Sequence, residues 1–174
     1  MYFIATDTEH WTVPDFLASG VDDLDLLLSP ANAPTGGKLA LDYGCGIGRL
    51  SLALAKRYDQ VVGVDVSEVM IAKADELKAK TDEGRVDYHV ANGCDLSTWP
   101  DDHFDLVLSY VVLQHVPNEA TVVGLLREFA RVTKPGGYVV VQFPAYRRSV
   151  FARPWRRIQL AFRRALGVAE RLRL

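Results

Sequence analysis

Residues 38–42 (KLALD) form a short apolar run that leads straight into a loop with glycine at alternate positions, Gly44, Gly46 and Gly48, and then into an amphipathic stretch over 49–58. A short apolar run bounded by turn residues reads as a buried strand. Glycine lets the backbone turn tightly and lets another group approach the main chain. Strand, tight turn and helix are the first half of a βαβ unit, and that unit commits a chain to a parallel sheet.

The same alternation recurs downstream. Residues 60–65 (QVVGVD), 86–91 (VDYHVA), 104–110 (FDLVLSY) and 138–143 (YVVVQF) read as four more strands. Residues 68–80 and 119–133 are predicted helices, with Ser67 and Asn118 placed as N-caps. Pro135-Gly136-Gly137 is predicted to end the last helix and turn the chain into the fifth strand. A leading helix over 14–28 carries Phe16, Leu17, Val21, Leu24, Leu27 and Leu28 at helical spacing, and 30–37 forms a linker loop. The expected fold is α/β: a doubly wound, mostly parallel sheet of five strands with flanking helices.

Such a sheet binds ligands beyond the carboxyl ends of its strands. Asp42 ends the first strand and precedes Gly44, Cys45, Gly46 and Gly48, while a helix opening near Ile47 is expected to aim free N–H groups at a ligand. Dinucleotide-binding loops follow G-x-G-x-x-G; this one is G-x-G-x-G with an acid two residues before the first glycine. That acid opposes a pyrophosphate and suits a ligand bearing an ammonium and a sulfonium, which points to S-adenosylmethionine over NAD. Asp65 ends the second strand, where a carboxylate accepts the two hydroxyl protons of a ribose. Val66 and Met70 follow as an apolar slot for a purine.

The segments LALDYGCGIGRLS (39–51), VVGVDVSEVM (61–70), ANGCDL (91–96), FDLVLSYVVLQHVP (104–117) and LLREFARVTKPGGYVVVQFP (125–144) resemble, in order and spacing, the class I S-adenosylmethionine-dependent methyltransferases of small-molecule type, the type 11 and type 25 methyltransferase-domain families. The resemblance implies a Rossmann-like α/β sheet with strand order 3-2-1-4-5, and that Asp42, Gly44, Cys45, Gly46 and Gly48 line the methionine and ribose part of S-adenosylmethionine. It implies that Asp65 holds the ribose and that Val66, Met70, Asn92, Gly93 and Cys94 surround the adenine, Asp95 being the alternative to Asn92. Ser109 is expected beside the reactive methyl. His115 is the residue best placed for a general base. No metal-ligating cluster is found in the sequence. The implied activity is methyl transfer to an oxygen, nitrogen or carbon of a small-molecule acceptor, giving S-adenosylhomocysteine. The alternatives are a cofactor- or partner-binding domain without turnover and, behind it, an NAD-dependent oxidoreductase, which lacks a Tyr-x-x-x-Lys here.

The 174 residues suit a single domain, and 49% hydrophobic with 24% charged residues is a globular composition. No apolar run approaches the length of a membrane span, the N-terminus lacks a signal-peptide pattern, and two cysteines give no disulfide framework. A reducing, cytoplasmic setting follows as the expectation. The net charge of −2 hides a division: residues 1–144 hold 21 acidic and 11 basic side chains, whereas 145–174 hold nine arginines and one glutamate. Residues 1–144 are therefore expected to form the S-adenosylmethionine-binding domain and 145–174 a basic amphipathic helical extension, with Trp155, Ile158, Phe162 and Leu166 on one stripe. That extension either covers the sheet and neutralises the acidic body or, over 147–174, contacts anionic lipid at a membrane surface. Nucleic acid is not expected as a partner, because the acidic body repels phosphates. Oligomeric state is left open. The family normally closes with an antiparallel hairpin that is missing after the fifth strand, so the chain is expected to be a truncated form.

Overall fold

The structure, a computed structural model, describes residues 12–29 and 33–142. The elements run α1 (Val13–Leu28), β1 (Gly37–Tyr43), α2 (Arg49–Ala55), β2 (Tyr58–Asp65), α3 (Glu68–Thr81), β3 (Val86–Val90), β4 (Phe104–Ser109), α4 (Glu119–Val132) and β5 (Thr133–Val141), with one 3-10 turn at Leu113–His115. All strand pairings are parallel, and the sheet order is β3-β2-β1-β4-β5. The doubly wound α/β architecture expected from the alternation is the one observed. The order reverses direction between β1 and β4, so the cleft opens at their carboxyl ends.

Helices α1, α3 and α4 start where the sequence provides a side-chain cap, whereas α2 starts from Gly48 in the left-handed conformation. Thr12, Ser67 and Asn118 accept backbone N–H groups from Asp15, Met70 and Thr121. One core layer lies under α1 and α2, with Leu24, Leu54, Tyr58 and Leu106 buried in it. The other lies under α4, around Leu41, Phe104, Leu113 and Phe129. Every residue of α2 is buried, because α1 packs over it. The two helices approach so closely that a Cβ on Gly20 would sit 2.7 Å from the Arg49 carbonyl oxygen.

Two boundaries differ from the sequence expectation by three residues or more. The second helix stops at Ala55 rather than 58, because Tyr58 pairs with Gly37 at the start of β2 and donates its hydroxyl to the Pro34 carbonyl at 3.2 Å. The fifth strand starts at Thr133, which pairs with Phe104 before the ladder resumes at Leu106 with Tyr138. Lys134–Gly137 is thus an excursion inside β5 rather than the turn that precedes it, anchored where Lys134 Nζ reaches Asp105 at 2.7 Å. Asp105 also accepts the Lys38 and Leu39 amides, which ties β1 to β4 at the far end from the cleft. The predicted end of the fifth strand at Phe143 and the basic extension 145–174 lie outside the described residues.

Candidate functional site

A cavity of about 570 Å³ opens above the carboxyl ends of β1, β2 and β4, a size suited to a small ligand. Ten of the thirteen residues singled out from the sequence line it: Asp42, Gly44, Cys45 and Gly46 from the glycine loop; Asp65, Val66 and Met70 from the β2–α3 turn; Gly93 and Cys94 after β3; and His115.

The loop consumes most of its own donors. The N–H groups of Gly44 and Cys45 both donate to the Val64 carbonyl, at 2.7 and 3.0 Å, and that of Gly48 donates to Cys45 at 2.9 Å. The Gly46 N–H donates to Asp65 Oδ2 at 2.9 Å. These four N–H groups are committed to Val64 and Asp65 of β2 and to Cys45, and only that of Gly48 belongs to the helix opening near Ile47 where the sequence placed free donors. An anion-binding turn needs unspent N–H groups, and those of Gly44, Cys45, Gly46 and Gly48 are already bonded. A Cβ on Gly46 would meet nothing within 4 Å, which leaves its main chain open to the cavity.

The charges on the wall agree with that reading. Asp65 Oδ1 accepts from Ser67 N–H at 2.9 Å while Oδ2 takes Gly46. Each oxygen thus accepts one backbone amide and keeps lone-pair capacity for a ligand. Asp42 is only 2% exposed and accepts the Ser51 hydroxyl at 2.6 Å. Burial pushes its carboxyl up to about 6, against the opposing pull of Ser51 and Arg49. Burial likewise raises the Cys45 thiol, with Asp42 and Asp65 adding to the effect; Cys45 is a neutral wall group, not a nucleophile. The cation on the wall, Arg49, is paired with Asp23 at 2.7 Å and bonded to Ser19, which fastens α1 across the cleft.

Three of the predicted residues are not on the cavity wall. Gly48 is buried beneath Tyr88, whose hydroxyl oxygen would lie 2.0 Å from a Cβ placed there. Its glycine serves the packing of β3 rather than a ligand. Asn92 is exposed and bridges to Asp95, so neither alternative for the adenine contact lines the cavity. Ser109 is fully buried at the end of β4, and its Oγ has no hydrogen-bond partner.

Several wall residues were not singled out from the sequence. Phe16 reaches the cavity from α1, Ile47 and Leu50 from the loop and α2, and Tyr110, Val111 and Val112 from the segment after β4. The helical stripe on α1 contains Phe16, but nothing local distinguishes a cavity residue from a core residue. His115 is exposed at the end of the 3-10 turn, its Nε2 lying 3.1 Å from Gln114 Nε2. Among the described residues, no group of three or more His, Cys, Asp or Glu side chains is placed to hold a metal, and no helix is long and apolar enough to cross a membrane.

A family model described as a methyltransferase domain matches residues 41–141. The ubiquinone biosynthesis O-methyltransferase of Thiobacillus denitrificans is 36% identical over 119 residues, covering 68% of this chain and 50% of that protein. The enzyme of the same name from Hydrogenovibrio crunogenus is 32% identical over 120 residues, 66% of this chain and 48% of its own length. The chain thus spans about half the length of these curated relatives. A solved S-adenosylmethionine-dependent methyltransferase from Methanosarcina mazei is 31% identical, with a TM-score of 0.56 over 63% of this chain and 54% of that one. With its sheet order, its glycine loop and a match across β1 to β5, this chain belongs to the methyltransferase domain family.

Proposed function

We propose that the chain binds S-adenosylmethionine in the cleft and transfers its methyl group to a small-molecule acceptor. The observation that carries this reading is the pairing of Asp65 with a loop whose Gly44, Cys45, Gly46 and Gly48 N–H groups are already bonded. A carboxylate held by two amides, with lone pairs to spare, suits a vicinal diol, and a glycine loop that has bonded four of its N–H groups suits a pyrophosphate poorly. Asp42 adds a second acid on the same wall, which favours a ligand carrying an ammonium.

In this arrangement Asp65 takes the ribose hydroxyls, Val66 and Met70 flank the adenine with Gly93 and Cys94 at its edge, and Gly44 and Gly46 admit the methionine portion. The cofactor supplies an electrophilic methyl on a sulfonium. Phe16, Tyr110 and Val111 wall the remaining space and seat the acceptor so that its lone pair faces that methyl in line. His115 would receive the proton that the acceptor releases. Positioning of this kind supplies most of the rate in such a transfer. Because two relatives are named as O-methyltransferases, oxygen nucleophiles on small metabolites are the acceptors to try first.

Calorimetry tests the cofactor reading. S-adenosylhomocysteine is expected to bind, NAD is not, and Asp65→Ala is expected to lose at least about tenfold in affinity, the cost of one or two charge-assisted hydrogen bonds. Full affinity in that variant, or no binding by the wild type, would overturn it. Release of S-adenosylhomocysteine over a panel of hydroxylated metabolites tests turnover.

A further inference from the structure

Val111 adopts φ 61°, the left-handed region. For a β-branched residue that conformation is an outlier, because its Cβ crowds the backbone. Such strain persists only where the surroundings impose it, and it gathers at functional sites. Here the constraint is visible. The Val111 N–H donates to Gln142 Oε1 at 3.0 Å, and Gln142 is fixed in turn by donating its own N–H to the Ser109 carbonyl at 3.1 Å. Ser109, Val111 and Gln142 therefore close a small ring of contacts across the ends of β4 and β5.

What this ring holds is a strap over the glycine loop. Val111 and Val112 both line the cavity. Val112 presses so closely on Gly44 that a Cβ there would lie 2.2 Å from Val112 Cγ2. If Val111 relaxed to negative φ, the chain direction after β4 would change and Val112 would lift from Gly44.

We infer that Gln142 is a positioning residue for the cofactor cleft: by capturing the Val111 amide it holds the strained strap against the glycine loop and so sets the shape of the wall between cofactor and acceptor. This rests on the cofactor reading above.

The test combines binding with a ligand-independent readout. Gln142→Leu keeps the bulk and removes the acceptor. It is expected to weaken S-adenosylhomocysteine about tenfold and to abolish the hydrogen-exchange protection of the Val111 amide in the free protein. Gln142→Glu keeps an acceptor for that amide and should restore both. Val111→Gly removes the cost of positive φ, so Gln142→Leu added to it is expected to cost at most about twofold. Melting temperatures verify that each variant is folded, and the Glu and Gly backgrounds answer the question even where Gln142→Leu is unstable. A protected Val111 amide in Gln142→Leu, or an equal loss of affinity with and without Val111→Gly, overturns the inference. If wild type fails to bind S-adenosylhomocysteine, the cofactor reading falls and takes this one with it. If wild type binds and Gln142→Leu binds equally well, this one falls alone.

Discussion

The Tyr43 hydroxyl donates to the Gly93 carbonyl at 2.6 Å, joining the glycine loop to the turn after β3. Burial, with Cys94 and Asp65 nearby, pushes the phenol up to about 12, so it remains a donor at any ordinary pH. Its ring is held independently, edge-on to Phe129 at 5.0 Å. Tyr43→Phe therefore removes the hydrogen bond and keeps the packing. We expect a loss of about 1 kcal/mol in stability and, as the Gly93 wall loosens, about three- to tenfold weaker S-adenosylhomocysteine binding. Adenosine alone should lose the same factor if the Gly93 turn serves the purine end; an unchanged adenosine affinity would place the effect elsewhere.

Gly44 and Gly46 look equivalent in sequence, yet the structure assigns them different costs. Both have positive φ, 77° and 55°. A methyl on Gly44 strikes Val112, whereas one on Gly46 enters open cavity. Gly44→Ala is expected to destabilise the fold by about 2–4 kcal/mol, backbone strain plus overpacking. Gly46→Ala pays only the backbone cost of about 1–2 kcal/mol, but its methyl occupies ligand space, so affinity for S-adenosylhomocysteine falls well beyond what stability predicts. Denaturant titration beside calorimetry separates the two, and equal stability losses would contradict the geometry.

These differences mark how far the sequence could be read. The parallel sheet, the cleft's position and the Asp65 turn follow from alternation and spacing, which are local signals, whereas the strand order came with the family resemblance. Gly48 shows the limit: it continues the glycine pattern, yet it is required because Tyr88 arrives from β3, 40 residues away. Ser109 has the right address at the end of β4 but is wholly buried, a fact set by how β1 and β5 flank it. Phe16 and Arg49 reach the cavity only because α1 docks on α2, and no periodicity encodes that docking partner. The Lys134–Gly137 excursion reads as a turn because proline and glycine signal a break, while Thr133 pairing ahead of it is a tertiary event.

The buried acid should leave a signature in stability against pH. Asp42 has an ordinary value of 3.8 and is raised to about 6 in the folded protein, chiefly by burial. The folded state therefore holds its proton more tightly than the unfolded one. Its contribution is fully present below pH 4 and is lost as pH rises through about 6, a swing of about 3 kcal/mol. Asp42→Asn keeps an oxygen for the Ser51 hydroxyl and abolishes the titration. Urea unfolding between pH 4 and 8 should show the variant gaining on wild type as pH rises, with the difference levelling above pH 6 to 7. A difference independent of pH would mean that Asp42 is ionised throughout.

His115 carries the proton-transfer part of the proposal, and its surroundings make a divided prediction. It lines the cavity from an exposed position at the end of the 3-10 turn. With the Gln114 amide as donor, Nε2 is the acceptor and Nδ1 carries the ring proton. To take a proton through Nε2 the imidazole must part from Gln114, which a bound acceptor's hydroxyl in the same place would accomplish. His115→Asn is then expected to lower kcat on the order of 10²-fold, with KM for S-adenosylmethionine and S-adenosylhomocysteine affinity unchanged. Gln114→Ala, which removes the competing donor, is expected to leave kcat equal or higher. A kcat loss below about twofold in His115→Asn would show that the acceptor's proton goes directly to solvent and that positioning alone carries the reaction.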